Sequence, residues 1–214
     1  MRPSRFYPRR LVLAGTAGLV GAGLALPARA ALLATPRQTE GPFYPPELPR
    51  DDDNDLVRVT GADARALGQV THVLGRVVDR AGRPLPGVLV EIWQCDANGR
   101  YLHPGDRGAR PRDWHFQSYG RTLTDASGGY RFRTIRPVPY PGRTPHIHFK
   151  LSREGAELLT TQMYVAGEPG NERDFLLRSV RDPAARARLL VDLRPAGAIE
   201  AGALAGTFEI VVAG

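Results

Sequence analysis

Tyr140, Arg143, His146 and His148 lie within nine residues of one another, in the run Pro139-Tyr140-Pro141-Gly142-Arg143-Thr144-Pro145-His146-Ile147-His148-Phe149. These are side chains that bind metals, carry fixed charge or move protons. His146 to Leu151 reads as an extended, half-apolar strand. Strand side chains alternate faces, so both imidazoles point one way and Ile147 the other. Two imidazoles on one face are half of a metal site. A His-x-His pair alone is commonly a surface accident, so its company decides.

The elements that must position this pair are short strands and turns. The chain has 214 residues, including 24 Gly and 19 Pro, which favours one β-rich domain over long helices. Extended segments are expected at His72–Asp79, Val88–Gln94, Gly120–Thr124, Tyr130–Thr134, His146–Leu151, Leu158–Val165 and Thr207–Val212. Helical spacing falls at Asn171–Val180 and Pro183–Leu190. Strands with turns about every ten residues predict a mainly β fold, an antiparallel β-sandwich with short helices and long loops. Asp51, Asp53 and Asp55 imitate the start of a calcium loop. Leu56 stands where that loop needs glycine, so the run reads as a solvated turn.

Three segments are expected: a twin-arginine-type signal peptide over 1–30, a linker and arm over 31–70, and a β-sandwich catalytic domain over 71–214. Arg9-Arg10 precedes a weakly apolar stretch from Leu11 to Leu26, and Ala28-x-Ala30 fits a small-residue cleavage site. Sixteen residues are short for a membrane span, so no stable membrane anchor is expected. The expected destination is outside the cytoplasm, periplasmic or extracellular. The net charge of +7 misleads, because residues 1–30 hold five arginines and no acid. Beyond them stand 24 basic residues against 22 acidic, which gives no electrostatic footprint for nucleic acid. Cys95 is the single cysteine, so no intrachain disulfide forms.

Taken in order, Thr39-Glu40-Gly41-Pro42-Phe43-Tyr44, Val90-Glu91-Ile92-Trp93-Gln94, Gly99-Arg100-Tyr101, Pro139-Tyr140-Pro141, Arg143-x-x-His146-x-His148 and Thr161-Gln162-x-Tyr164 resemble the intradiol ring-cleavage dioxygenases, the family of protocatechuate and catechol dioxygenases. The likeness runs from about Thr39 to the C-terminus. It implies one Fe(III) per chain, with Tyr101 and Tyr140 as phenolate ligands and His146 and His148 as imidazole ligands. Tyr140 would be the ligand displaced by substrate. Arg143 and Gln162 would line the reacting side of the pocket. The implied substrates are a small aromatic diol and O2, and the implied product is a cis,cis-muconate-type diacid.

These residue types suit that chemistry. Ferric iron is a hard cation that favours anionic oxygen, and a bound cation can strip a phenol of its proton. A permanently charged guanidinium can stabilise carbanion character on a ring. Tyr44, Trp114 and His115 are candidates for the pocket entrance, Trp93 for the core. His72 and His103 are not expected to bind metal. The loop between Tyr140 and His146 is short, with Gly142 directly after Pro141, so a more open pocket wall is expected. The helical dimerisation segment of the catechol branch has no counterpart, which leaves a homo-oligomer open. Two other readings remain at this stage: a non-catalytic transthyretin-like binding module, and a histidine-based zinc or copper protein.

Overall fold

A computed structural model describes residues 31–213. The expected signal peptide over 1–30 lies outside the described residues. The structure is mainly β, with 33% strand against 5% helix, as the spacing of turns predicts. No helix among the described residues is long and apolar enough to cross a membrane.

The first sheet is built on β1 (Val70–Asp79). One edge of β1 pairs antiparallel with β4 (Gly129–Ile135). Further partners are two short parallel strands near the C-terminus, β9 (Leu204–Thr207) against Thr71–Leu74 and β10 (Ile210–Val212) against Val77–Asp79. The second sheet runs β3 (Tyr119–Leu123), β2 (Leu89–Trp93), β5 (His146–Arg153), β6 (Ala156–Val165), β7 (Leu190–Val191). A two-residue strand β8 (Arg194–Pro195) pairs with β9. Both sheets are mixed and not purely antiparallel, because β7, β9 and β10 all pair parallel to their neighbours.

The expected closing strand is therefore two strands. Phe208 interrupts it and is fully buried, its amide donating to Leu74 O. The Tyr130 hydroxyl donates to Phe208 O at 2.6 Å directly over Gly75. A Cβ on residue 75 would lie 2.1 Å from that carbonyl and 2.5 Å from the hydroxyl, so only glycine fits the crossing. The expected helix over Asn171–Val180 shrinks to α1 (Phe175–Ser179), preceded by turns; α2 is Pro183–Ala187.

The inner faces of the two sheets close on Val73, Val77 and Phe132 from one side and Val90, Ile92, Ile147, Phe149 and Leu151 from the other. Phe149 spans the seam, edge-on to Phe208 at 5.1 Å and to Tyr130 at 6.1 Å. Each such fully buried side chain contributes roughly 1.5–3 kcal/mol. Because Ile147 and Phe149 anchor β5 in this core, His146 and His148 must emerge from the opposite face.

Candidate metal centre

The outer face of the second sheet would meet water, but the arm from Pro36 to Tyr44 lies across it, after Leu32 and Thr35 have paired with the first sheet at Arg80 and Val211. Gln38 N donates to Thr160 O, the Thr161 hydroxyl to Pro36 O, and Gln162 Nε2 to Thr39 O. Lys150 reaches Glu40 at 2.7 Å, and the Tyr44 hydroxyl reaches Glu91 at 2.8 Å. The backbone of Gly41 passes so close that a Cβ there would touch His148 Cε1 at 3.4 Å. His146 and His148 are both buried as a result.

Their Nε2 atoms face one another at 3.2 Å. His146 Nδ1 lies 2.7 Å from Thr144 O. A carbonyl only accepts, so Nδ1 carries the proton and Nε2 presents its lone pair. Burial, followed by the charge of Arg143, pushes the His146 imidazole down to about 3. Burial, His146 and Arg143 push His148 lower than its ordinary value too. Both rings are therefore neutral at ordinary pH, the form in which imidazole binds metals. Trp93, its register partner on β2, stacks on His148 at 4.8 Å and 11°. Trp93 is buried as expected, and it also forms one wall of the site.

Tyr140 arrives on a tight turn. Tyr140-Pro141-Gly142-Arg143 closes with Arg143 N donating to Tyr140 O at 2.9 Å, and Gly142 takes φ +81°. Proline at the second position and a left-handed glycine at the third define a type II turn. The turn sets Tyr140 beside Arg143, with Nη1 3.5 Å from the phenol oxygen. The Tyr140 ring lies 5.4 Å from His146. It is half-buried, and burial raises its phenol above the ordinary value while Arg143 pulls the other way.

Tyr101 leaves the Asp96–Gly99 turn, which Asp96 fixes by accepting from the amides of Asn98 and Arg100. Asp106 then accepts from Tyr101 N at 2.6 Å. The ring stacks on Phe43 at 4.7 Å and meets Tyr140 edge-on at 5.4 Å. Tyr101 is only 3% exposed, and its buried hydroxyl makes no hydrogen bond. Burial, with the neighbouring Cys95 and Tyr140, pushes its phenol well up. A buried, unpartnered phenol 6.1 Å ring to ring from His148 is a donor without its acceptor.

All six candidate residues meet here. Gln162, opposite His148 in register, accepts from Arg143 Nη2 through Oε1 at 2.6 Å. Sequence reasoning missed the residue that holds the guanidinium: Asp174 accepts from Arg143 Nε at 2.8 Å, with both side chains nearly or fully buried. Asp174 also accepts from Thr144 N and caps α1 at Leu176 N and Leu177 N. Burial favours protonated Asp174, but the Leu177 amide and Arg143 outweigh it and hold the carboxyl low. Burial likewise disfavours charge on Arg143; Asp174 and the adjacent tyrosines reverse that. The signal available in the sequence was an Asp directly before a short apolar run, hidden because the helix was expected to begin earlier, at Asn171. Tyr164, quoted in the sequence motif without a role, donates its hydroxyl proton to Gln38 Oε1 at 2.6 Å and lies 3.0 Å from Gln162 Oε1.

Among the described residues no three His, Cys, Asp or Glu side chains cluster to hold a metal. Tyrosyl oxygens must complete any set built on His146 and His148, and an orphaned Tyr101 hydroxyl and a paired Nε2 geometry fit a hard cation with oxygen preference. His72 pairs with Glu200 at 3.0 Å on the first sheet, away from this face. Cys95 is buried and pushed up to about 12 by burial and Asp96, so it remains a thiol. Two hollows of about 450 and 460 Å³ flank the Tyr140–Arg143 turn, one against Arg143 and Asp174, the other against Tyr140 and Arg100.

The family model described as Dioxygenase matches residues 39–214. The chain is 38% identical over 187 residues to the protocatechuate 3,4-dioxygenase beta chain of Burkholderia cepacia, covering 83% of this chain and 79% of that one. It is 34% identical to the catechol 1,2-dioxygenase of Acinetobacter baylyi over 66% of this chain, spanning only half of that relative's length. Among solved structures, the dioxygenase domain of a dioxygenase carbohydrate-binding protein fusion from the cellulolytic Streptomyces sp. SirexAA-E superposes with a TM-score of 0.63 at 39% identity, over 83% of this chain and 97% of that one. The chain belongs to the intradiol ring-cleavage dioxygenases, and it is an enzyme, an oxidoreductase of the dioxygenase type.

Proposed function

We propose that the enzyme cleaves a catechol-type ring between its two hydroxylated carbons with O2, giving a cis,cis-muconate-type diacid, and that it uses one Fe(III) per chain. Tyr101, Tyr140, His146 and His148 would hold the metal. The observation that carries this reading is the buried pair of neutral imidazoles, Nε2 to Nε2 at 3.2 Å, ringed by two tyrosines of which one has an unpartnered hydroxyl. When bound, ferric iron would supply a Lewis acid that takes up the deprotonated diol and makes the ring carbon electron-rich.

The chain's own residues do the rest. Tyr140, the half-buried phenol, is the ligand open to exchange, and its oxygen is where a proton from a diol hydroxyl is held. Arg143 keeps its charge in a buried setting because Asp174 faces it, so a fixed cation stands beside the reacting ring. Gln162 Oε1 aims that guanidinium by accepting from Nη2. The arm from Pro36 to Tyr44 keeps water off the two histidines, which strengthens every charge interaction inside. Export through residues 1–30 is part of the same proposal. A mass measured on the protein from the periplasmic fraction would show cleavage after Ala30 or refute it.

The test is optical. Aerobically purified protein should carry a visible tyrosinate-to-iron band, shift it to longer wavelength with anaerobic catechol, and recover it with product when O2 enters. A zinc-loaded, colourless protein, or iron without a tyrosinate band, would overturn the ligand assignment.

A further inference from the structure

A large cavity lies to one side of the histidines. It holds about 880 Å³ and runs from Tyr101 and His103 out past Pro46 and Leu48 to Arg112 and Trp114. A second cavity of about 520 Å³ continues it, sharing Arg50, Leu102, Arg112 and Trp114. Cavities of ~300–1,000 Å³ suit ligands much larger than one ring.

The groove has a chemistry of its own. Trp114 is 72% exposed, an unusual use of the largest aromatic side chain, and Leu48 is exposed across from it. The Arg112 guanidinium sits 4.2 Å over the Trp114 ring, and its Nε is buried with no hydrogen-bond partner. Among the described residues neither Arg112 nor Arg50 makes an ion pair. Asp96 and Asp113 lie near Arg112 without pairing with it, and Glu47, Asp51 and Asp106 line the rest of the groove, so the guanidinium on the Trp114 platform is the place where a planar ring bearing a carboxylate fits. The inner end abuts Tyr101 and His103, and Phe43 touches both of these and Tyr140. The groove thus leads toward the metal centre.

We propose that this groove is a second subsite, seating an aryl carboxylate carried as a substituent on the catechol ring, so that preferred substrates extend beyond a single ring. The proposal rests on the ring-cleavage reading above. The probe is a catechol joined through a two-carbon chain to a carboxyphenyl group, compared with plain catechol on the iron-loaded enzyme. Trp114→Ala should raise KM for the probe about tenfold and leave both constants for catechol unchanged. Arg112→Gln should abolish the preference for the probe over its methyl ester. Free 4-methylbenzoate should compete with the probe and spare catechol.

Equal losses on both substrates with Trp114→Ala, or no preference for the probe in the unmodified enzyme, would overturn the subsite. So would an effect of 4-methylbenzoate on catechol kcat, which would mark a separate effector site. Equilibrium dialysis of the probe against both forms reads the groove without turnover. Failure of ring cleavage with retained, Trp114-dependent binding would then count against the reaction and for the groove.

Discussion

Replacing Tyr101 with Phe should make the metal-free protein more stable while depriving it of iron. The Tyr101 hydroxyl is buried with no hydrogen-bond partner at normal geometry, and the Tyr140 ring stands edge-on beside it. A buried hydroxyl left unpaired costs about 1–3 kcal/mol. Phenylalanine keeps the stacking on Phe43 and removes that cost. A chain of this size gains roughly 2–4 °C in Tm per kcal/mol. Iron acts in the other direction for the unmodified protein: a ligand at a hundred times its Kd stabilises by about 2.7 kcal/mol. Thermal melts of both proteins, metal-free and after ferric loading, together with iron content, read both effects. The variant should melt higher without metal, and gain little on loading. Iron content equal to the unmodified protein, or a metal-free variant that melts lower, would refute the assignment of Tyr101 as a ligand.

Arg143→Ala should retain iron and its colour but slow turnover by roughly 10²–10³-fold, the usual loss of one fixed donor to developing charge; an unchanged kcat would remove its role. Asp174→Asn keeps an oxygen to cap α1 but loses the charge facing Arg143. It should cost about 1–3 kcal/mol of stability and lower kcat more than it raises KM, as stopped melts and steady-state rates would show. Metal-free protein should lose stability as pH falls below 6.5. His146 is held neutral down to about 3, so the unfolded chain binds protons that the folded one refuses. That stability is fully present above the unfolded value near 6.5 and is lost as pH falls toward the folded one. The slope is about 1.4 kcal/mol per pH unit for each such histidine. Urea melts at successive pH values would show it, and a flat profile between pH 6 and 4 would contradict neutral, buried imidazoles.

The alternation around His146-Ile147-His148 was legible because β5 has one face in the core and one outside it, a pattern that survives in any sandwich. The Pro141-Gly142 turn carries its own dipeptide signal, although only a short loop was expected there. Asp174 was not, because its partner Arg143 is 31 positions away and no local rule joins them. Nor was the split of the closing strand, which depends on Phe208 burying itself against Phe149 and on the fit of Tyr130 over Gly75. The parallel pairing of β7, β9 and β10 is likewise a matter of long-range crossover that alternation cannot encode.

The arm shows most plainly how fold and chemistry depend on each other. A sheet face bearing His146, His148 and Gln162 would be wet if the sandwich ended at β1, and wet imidazoles would titrate near their ordinary value. Residues 36–44 instead bind that face through a residue of the candidate site, Gln162, and its neighbours Thr161, Tyr164, Lys150 and Glu91. Pro36, Pro42, Pro45 and Pro46 keep this stretch from forming a helix or a regular strand, so it crosses the sheet through scattered backbone and side-chain hydrogen bonds and not through a ladder of its own. Gln38 ties the logic together, accepting from the Tyr164 hydroxyl and donating to Leu176 O in α1, the helix that Asp174 caps. The arm, the short helix and Arg143 are thereby one hydrogen-bonded unit, and a change that loosens the arm should be felt first in how firmly Arg143 is aimed.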